Sequence, residues 1–347
     1  MVVTMHGPRD PVNVVSTAAG ISRGVALVVL GGAGLAAATG RGSGSVLFTL
    51  VLVGLVAGIP HGAADHLLLA RGSGKPLIMV TGSYALGAAA AWAALNWGGA
   101  TVLMLVVGLS LLHFALGEIE VNRVTTGWQP GRAVTLAVGV ASTGALLLPL
   151  ARSGTAVQAV ASSLAPGFAA ALGAGSLRVG LAVLWSGAAV IAVVAALRAG
   201  HRMVALDLAL MGALGALLPP LAAFAVWFGG WHAVRHTARV LTVEPRCRVL
   251  VTDGDTAGAI RHFVRLAALP TSAALAVLMA LGAVTISASD PARSIADALR
   301  ILLALTVPHM LVVLWLDRHT MPRRANPTGL PDRLWATARS DPDLPAR

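Results

Sequence analysis

The residues best suited to chemistry in this chain are histidines. The sequence contains ten of them, although only 11% of its residues are charged. Six lie inside or at the edge of apolar segments: His61, His66, His113, His232, His236 and His309. Imidazole is the commonest neutral ligand for iron, copper and zinc, and burying it requires no charge until the metal binds. Because the single cysteine, Cys247, excludes a thiolate-rich zinc centre, these histidines favour a redox-capable non-haem iron site.

Spacing along predicted helices arranges these residues further. His232 and His236 are four residues apart, so a helix places both imidazoles on one face. His61 and Asp65 have the same spacing, and the Asp65 carboxylate is a candidate acceptor for a ligand N–H, which would fix the orientation of that ring. The candidates for a further ligand or for a supporting role are Asp65, His66, His309, Glu118 and Arg235.

Charged and aromatic residues accompany the histidines. Glu118 ends its apolar segment, so we expect it at the membrane edge. Arg235 is expected either to pair with Asp65 or another carboxylate, or to extend to the cytoplasmic surface. The aromatic candidates for a pocket that takes a flat conjugated substrate are Phe114, Trp227, Phe228 and Trp231. For Trp227 and Phe228 the alternative is packing within the protein or against lipid.

The composition indicates which elements must hold these residues. Hydrophobic residues make up 56% of the 347 residues, and mean hydropathy is +0.80. The charged fraction is far below the ~25% of soluble proteins. The sequence therefore predicts an all-α integral membrane protein, a multi-pass bundle of about 8–10 transmembrane helices. The apolar stretches are 22–39, 45–66, 77–97, 101–118, 133–151, 177–197, 203–218, 219–241, 264–286 and 296–316. Pro219 and Pro220 separate the seventh stretch from the eighth, either as a tight turn or within a broken helix.

Arginine and lysine are distributed unevenly among the loops. With the N-terminus in the cytoplasm, most of them fall on the cytoplasmic side, as the positive-inside rule expects. We therefore predict a protein of the cell membrane with both termini in the cytoplasm. The net charge of +11 is interpreted as a topology signal rather than a sign of nucleic-acid binding. The predicted organisation is a polar cytoplasmic N-terminus (1–21), a transmembrane helical catalytic domain (22–316) and a basic cytoplasmic tail (317–347).

This topology places four histidine-bearing segments at a similar depth. The second, fourth, eighth and tenth stretches all run from outside to inside. At 1.5 Å per residue, their histidines lie roughly 18–24 Å from the outer end. These four are His61, His113, His232 and His309. We expect them to share one layer in the inner half of the membrane, where ionisable residues commonly mark a functional site.

Four short strings in this order resemble one family. They are PHGAADH at 60–66, HF at 113–114, WHAVRH at 231–236 and PHM at 308–310. The chain resembles the Brp/Blh-type (bacteriorhodopsin-related) β-carotene 15,15′-dioxygenases of bacteria and archaea over about 45–316. The resemblance implies a membrane enzyme that splits the central 15,15′ double bond of β-carotene with O₂ and gives two molecules of all-trans-retinal.

The same resemblance implies a cofactor, partners and site residues. Fe(2+) is expected to be held by His61, His113, His232 and His236. No catalytic group is expected beyond the metal ligands. The implied partners are β-carotene, O₂, membrane lipid and a microbial rhodopsin as retinal acceptor. The chain departs from the family pattern after Phe114, where Ala115 occupies the position of an expected glycine, and we expect this change to reshape the pocket.

Two other functions remain open from the residues themselves. The first is a histidine-box di-iron membrane oxidase, such as a desaturase, which needs several HxxxH and HxxHH clusters. This chain has one HxxxH, at 232–236, and no HxxHH. The second is a non-catalytic membrane protein for retinal or carotenoid transport or for opsin assembly. Such a protein would bind no iron and form no retinal.

Overall fold

The computed structural model describes residues 11–40, 44–286 and 290–320, and within these ranges the chain is helical without β-strands. The predicted N-terminus up to residue 10 and the predicted tail from residue 321 lie outside the described residues. The helices are α1 (Pro11–Thr39), α2 (Gly44–Gly58), α3 (Pro60–Ala63), α4 (Asp65–Ser73), α5 (Leu77–Trp97), α6 (Gly99–Thr126), α7 (Arg132–Ala141), α8 (Gly144–Arg152), α9 (Thr155–Leu164), α10 (Pro166–Gly173), α11 (Ser176–Arg198), α12 (Arg202–Leu217), α13 (Pro220–Ala225), α14 (Ala233–Val243), α15 (Pro245–Thr252), α16 (Thr256–Ile286) and α17 (Pro291–Thr320). A π-helical segment, Val226–His232, connects α13 to α14.

The chain forms an all-α multi-pass membrane bundle, as predicted. Among the described residues, six helical segments are long and apolar enough to cross a membrane, and α7 with α8, bent by 61°, makes a seventh if the pair is one span. This number is below the eight to ten expected. Every predicted apolar stretch is helical, but α12 has only 16 residues, and the next stretch is interrupted by a π-helical segment. A full span needs about 20 residues.

Proline residues interrupt two helical stretches, and the sequence suggested the second of these interruptions. Pro60 begins the short α3 directly after α2, so His61 lies at a break between two helices. At Pro219 and Pro220 the helix is interrupted, because α12 ends at Leu217 and α13 begins at Pro220, with extended backbone at Leu218 between them. Proline lacks the N–H that would continue the helical hydrogen bonds. The Nη1 of Arg152 donates to the free carbonyls of Gly215 and Leu218, at 2.9 and 3.0 Å.

The π-helical segment places His232 next to the α2–α3 break. It contains Gly229 and Gly230, and wide turns of this kind are frequent at functional sites. Gly229 packs against the backbone of Gly54 on α2, where a Cβ would collide with the Gly54 carbonyl oxygen. Glycine at 54 and at 229 therefore allows α2 to approach the π segment closely. This close approach brings His61 next to His232 and His236.

Two short helices that the sequence did not predict support the other side of the bundle. The amphipathic α9 packs on α17, and α10 packs on α6. Phe168 and Leu172 of α10 are buried in a core with Leu103 of α6 and Ala304 of α17. This core fixes α6 and α17 relative to each other, and both helices carry a histidine of the site.

Candidate metal centre

Five buried imidazoles converge on one point in the bundle. They belong to His61 on α3, His113 on α6, His232 at the end of the π segment, His236 on α14 and His309 on α17. Each residue is at most 7% exposed. Centroids of neighbouring rings are separated by 4.8 Å (His113–His309) to 6.2 Å (His113–His236). The structure thus brings the four predicted ligands together and places His309 among them.

The four-residue spacing of His232 and His236 has the expected geometric effect. Their ring centroids are 5.7 Å apart and their planes differ by 22°, so the two imidazoles stack on one face. Both meet the His61 ring nearly at right angles, at centroid distances of 5.1 and 5.4 Å. Three rings from two separate stretches of chain therefore enclose a common space.

Hydrogen bonds fix which nitrogen of two rings faces the cluster. The Nδ1 of His61 contacts the carbonyl oxygen of Gly58, and a carbonyl only accepts, so Nδ1 carries the proton. The Nδ1 of His309 contacts Oδ2 of Asp65 at 2.6 Å, which places a proton there in the same way. In both rings the Nε2 lone pair is left available.

The nitrogens that face the cluster fit a metal ion. Nε2 of His232 and Nε2 of His236 are buried without a hydrogen-bond partner. Leaving a buried polar atom unpaired costs about 1–3 kcal/mol, and an ion between the rings would remove that cost. Ligand nitrogens of His61, His232 and His309 lie within 4.8 Å of one another. A set of neutral imidazoles without thiolates suits a divalent transition metal of the iron type.

Asp65 and His66 have different positions, although they are adjacent in sequence. The Asp65 carboxylate is 1% exposed, and its Oδ2 also accepts a long hydrogen bond from the Tyr84 hydroxyl, at 3.4 Å. Asp65 therefore orients a ring of the cluster, His309. His66 is half-buried and faces Tyr84, with ring centroids 6.4 Å apart. The structure does not bring His66 into the cluster.

Aromatic side chains enclose part of the cluster. Phe228 meets His61 edge to face at 5.4 Å, and Phe114 meets His232 at 4.6 Å. Trp227 packs on Phe114 at 4.4 Å and is 1% exposed. Trp227 and Phe228 are thus buried within the protein, and the alternative that they face lipid is wrong. Trp231 packs instead against Arg235 and Glu118.

A buried ionic network lies beside the histidines. The guanidinium of Arg235 donates to Glu118 at 2.7 Å, to Asp207 at 3.1 Å and to the Ser22 hydroxyl at 2.8 Å. Arg23 donates to the same Asp207 at 2.6 and 3.0 Å. The network therefore balances two arginines with two carboxylates and joins α1, α6, α12 and α14.

Trp231 completes this network. Its Nε1 donates to Glu118 at 3.0 Å, and its ring lies 3.9 Å beneath the Arg235 guanidinium. Glu118 is 3% exposed and enclosed by protein, and it lies within α6 rather than at its end. Arg235 does not pair with Asp65 and does not extend to the surface. Its carboxylate partners are Glu118 and Asp207.

Sequence reasoning missed Asp207, Arg23 and Ser22. A signal for Asp207 was present, because it is the one charged residue in the apolar stretch 203–218. Charges inside membrane segments commonly pair within the bundle. Arg23 and Ser22 carried no such signal, since they lie near the start of an apolar stretch, where arginine commonly sits at a membrane surface.

A second group of potential ligands lies where α14, α15 and α16 meet. It consists of Glu244, Cys247 and His262. Glu244 is already engaged, because it accepts from Arg71 and from the backbone N–H of Cys247, each at 2.7 Å. Burial raises the pKa of the Cys247 thiol and lowers the pKa of His262. The positive charge of Arg71 disfavours a bound cation at this group. Its contacts instead hold α14, α15 and α16 together.

The expected consequence of Ala115 does not follow from its position. Its Cβ packs towards α7, where a Cβ on Gly139 would lie 3.3 Å away. Ala115 is thus at a contact between α6 and α7. His113 and Phe114, the preceding residues, are the ones that reach the cluster.

The chain is similar to known proteins along most of its length. The β-carotene 15,15′-dioxygenase family profile matches residues 51–317, a range that contains all five clustered histidines. The chain is also 30% identical over 301 residues to a Halobacterium salinarum protein named "Probable beta-carotene 15,15'-dioxygenase Blh". This match covers 78% of this chain and 84% of that protein. No solved structure gives a significant match. With the match covering more than half of its residues, the chain belongs to the β-carotene 15,15′-dioxygenase family.

Proposed function

We propose that this protein is a membrane non-haem iron dioxygenase that cleaves the central 15,15′ double bond of β-carotene with O₂ and releases two molecules of all-trans-retinal. The observation that carries the proposal is the cluster of five buried imidazoles, two of which have a ring nitrogen without a hydrogen-bond partner. The proposed ligands of Fe(2+) are His61, His113, His232 and His236. The family and the name of the Halobacterium relative support the reaction.

The side chains would divide the work between holding and positioning. Bound Fe(2+) would supply the reactivity with O₂ that a polyene and amino-acid side chains lack. The imidazoles hold their ligand nitrogens without introducing charge, so the surroundings stay suited to a hydrocarbon. Phe114, Trp227 and Phe228 offer apolar contact beside the rings and exclude water. Both oxygen atoms of O₂ appear in the two aldehydes, so the overall reaction needs no external reductant.

The proposed surroundings follow from the substrate. β-Carotene dissolves in the bilayer core, and a site within the bundle spares its transfer through water. Membrane lipid is therefore a partner, and a microbial rhodopsin is a chemically suitable acceptor for retinal. Since most loop arginines and lysines fall on one side, we place the protein in the cell membrane with both termini in the cytoplasm.

Expression in a β-carotene-producing host tests the function. The wild-type chain should remove the orange colour and produce retinal, identified by chromatography and mass. The double variant His232→Gln, His236→Gln should leave β-carotene intact, while His201→Gln, at a half-buried ring packed on Trp128, should behave as wild type. Longer or shorter apocarotenals would show that a double bond other than 15,15′ is cleaved. An unchanged carotenoid pool with a well-expressed wild-type protein would contradict the enzyme and favour a transport or assembly protein.

A further inference from the structure

His309 has the position and orientation of a ligand, although it is not one of the four ligands proposed above. Its ring is 5% exposed, and its centroid lies 4.8 Å from that of His113, 4.9 Å from that of His61 and 5.3 Å from that of His236. It therefore touches the cluster from a fourth direction, on α17. A histidine that only stabilised helix packing would not need to meet three other imidazoles.

The Asp65 carboxylate determines which nitrogen of His309 faces the cluster. Because the carboxylate accepts from Nδ1 at 2.6 Å, the proton lies on Nδ1 and the lone pair lies on Nε2. That Nε2 points at Nε2 of His113, 3.2 Å away. Two nitrogens that bind one metal at about 2.1 Å, at right angles to each other, are separated by about 3.0 Å. The observed spacing is close to that of adjacent ligands.

Gly62 makes room for this arrangement. A Cβ on Gly62 would lie 3.0 Å from Nδ1 of His309 and 3.6 Å from Oδ2 of Asp65. A side chain there would press on the hydrogen bond between the two residues. The PHGAADH string thus supplies three parts of one arrangement: the His61 ring, the space at Gly62 and the Asp65 acceptor.

Pro308 does not explain the position of His309. A proline in a helix leaves the carbonyl four residues earlier without its usual donor, here that of Ala304. The His309 ring instead contacts Asp65 through Nδ1 and His113 through Nε2. The ring therefore serves the cluster rather than the helix defect.

We propose that His309 is a fifth nitrogen ligand of the metal and that Asp65 is the positioning residue that turns its Nε2 towards the ion. The proposal rests on the proposed function, because it adds a ligand to that metal site. Carboxylates that orient ligand imidazoles typically contribute 10–100-fold to metal affinity.

The test is metal binding by the purified full-length protein in detergent after chelator treatment. Co(II) is the probe, because the intensity of its visible absorption increases when its coordination number decreases. His309→Gln keeps a donor for Asp65 but removes the imidazole, and it should raise the Kd for Co(II) at least about 10-fold and intensify the absorption. Asp65→Asn should raise the Kd about 10-fold, and His201→Gln should change neither property.

Further variants separate a ligand from a merely structural residue. His309→Ala should regain wild-type Co(II) affinity and spectrum when millimolar imidazole is added, because the free ring can occupy the vacated space. A His309→Gln protein that elutes as a folded species and binds Co(II) with wild-type affinity and spectrum would overturn the proposal. A wild-type chain that binds neither Fe(II) nor Co(II) would instead contradict the proposed function itself.

Discussion

Two buried polar clusters adjoin α14, and they differ in whether their polar atoms are paired. His236 and Arg235 are neighbours in sequence, yet His236 points into the imidazole cluster and Arg235 into the ionic network. In the imidazole cluster two buried ring nitrogens, those of His232 and His236, have no hydrogen-bond partner. In the ionic network both arginines and both carboxylates are paired. The unpaired cluster is ready for a ligand, while the paired one is complete without one.

This difference assigns separate roles to the imidazole cluster and the ionic network. Breaking a buried ion pair strongly destabilises the folded protein, because the charge that remains is still buried and cannot regain its water. An imidazole with an unpartnered nitrogen gives up little when it is replaced by a side chain of similar size. Variants of the network should therefore affect folding first, and variants of the cluster should affect metal binding first.

The largest expected effect comes from His236→Gln, which should lower metal affinity at least about 100-fold and reduce retinal formation correspondingly. Glutamine fills much of the same volume, so the unfolding temperature of the metal-free protein should stay within a few degrees of wild type. Metal titration and thermal unfolding of the same preparation check both statements. A variant that loses its fold rather than its metal would break the comparison.

Arg235→Met should have the opposite profile. Removing this guanidinium leaves the buried carboxylate of Glu118 without its ion-pair partner and Asp207 with Arg23 alone, at a loss of about 3–5 kcal/mol. The matched control is Arg239→Met, one turn further along α14, whose partly exposed pair with Asp317 should contribute no more than about 1 kcal/mol. Thermal unfolding in detergent measures both. Equal losses from the two variants would show that burial does not distinguish the network.

Asp207→Asn should have an intermediate effect. Asparagine keeps the volume and an acceptor oxygen but leaves Arg23 and Arg235 with one carboxylate fewer, so we expect a loss of about 1–3 kcal/mol. Asp297→Asn, in a partly exposed pair with Arg300 on α17, is the control and should lose no more than about 1 kcal/mol. The free energy of metal binding at the imidazole cluster should change less than the free energy of unfolding. A selective loss of metal without a loss of stability would remove the proposed division of roles.

His66→Gln should have the smallest effect, although His66 immediately follows Asp65. Its ring faces Tyr84 outside the cluster, so metal affinity and retinal formation should remain within about twofold of wild type. The same assays that follow His236→Gln apply. A loss comparable to that of His236→Gln would place His66 in the metal site and contradict the structure.

The sequence predicted the cluster better than the network because the two depend on different information. The spacing of His232 and His236 is local, and a helix converts it directly into a shared face. The network joins residues separated by 28 and 184 positions, Asp207 to Arg235 and to Arg23, and no local pattern indicates which charges will meet. The orientation of His309 likewise depends on Asp65, 244 positions away.

Helix type and helix ends were also only partly predictable. Apolar periodicity located the helical stretches, but it did not indicate the π-helical segment Val226–His232, which has the composition of an ordinary membrane helix. Pro219 and Pro220 predicted either a turn or a broken helix, and the carbonyls that this interruption leaves free are bound by Arg152, 63 and 66 positions away from them. Tertiary contacts thus determined what local propensity left open.

The most direct test is the iron content of the purified full-length protein after anaerobic loading with Fe(II) and removal of free metal. The proposed site holds a single ion, so elemental analysis should give one iron per chain, and His236→Gln should retain far less under the same washing. A wild-type chain without iron, or a His236→Gln chain that retains as much as wild type, would contradict the assignment of the imidazole cluster as a metal centre. Two irons per chain would instead indicate a di-iron oxidase.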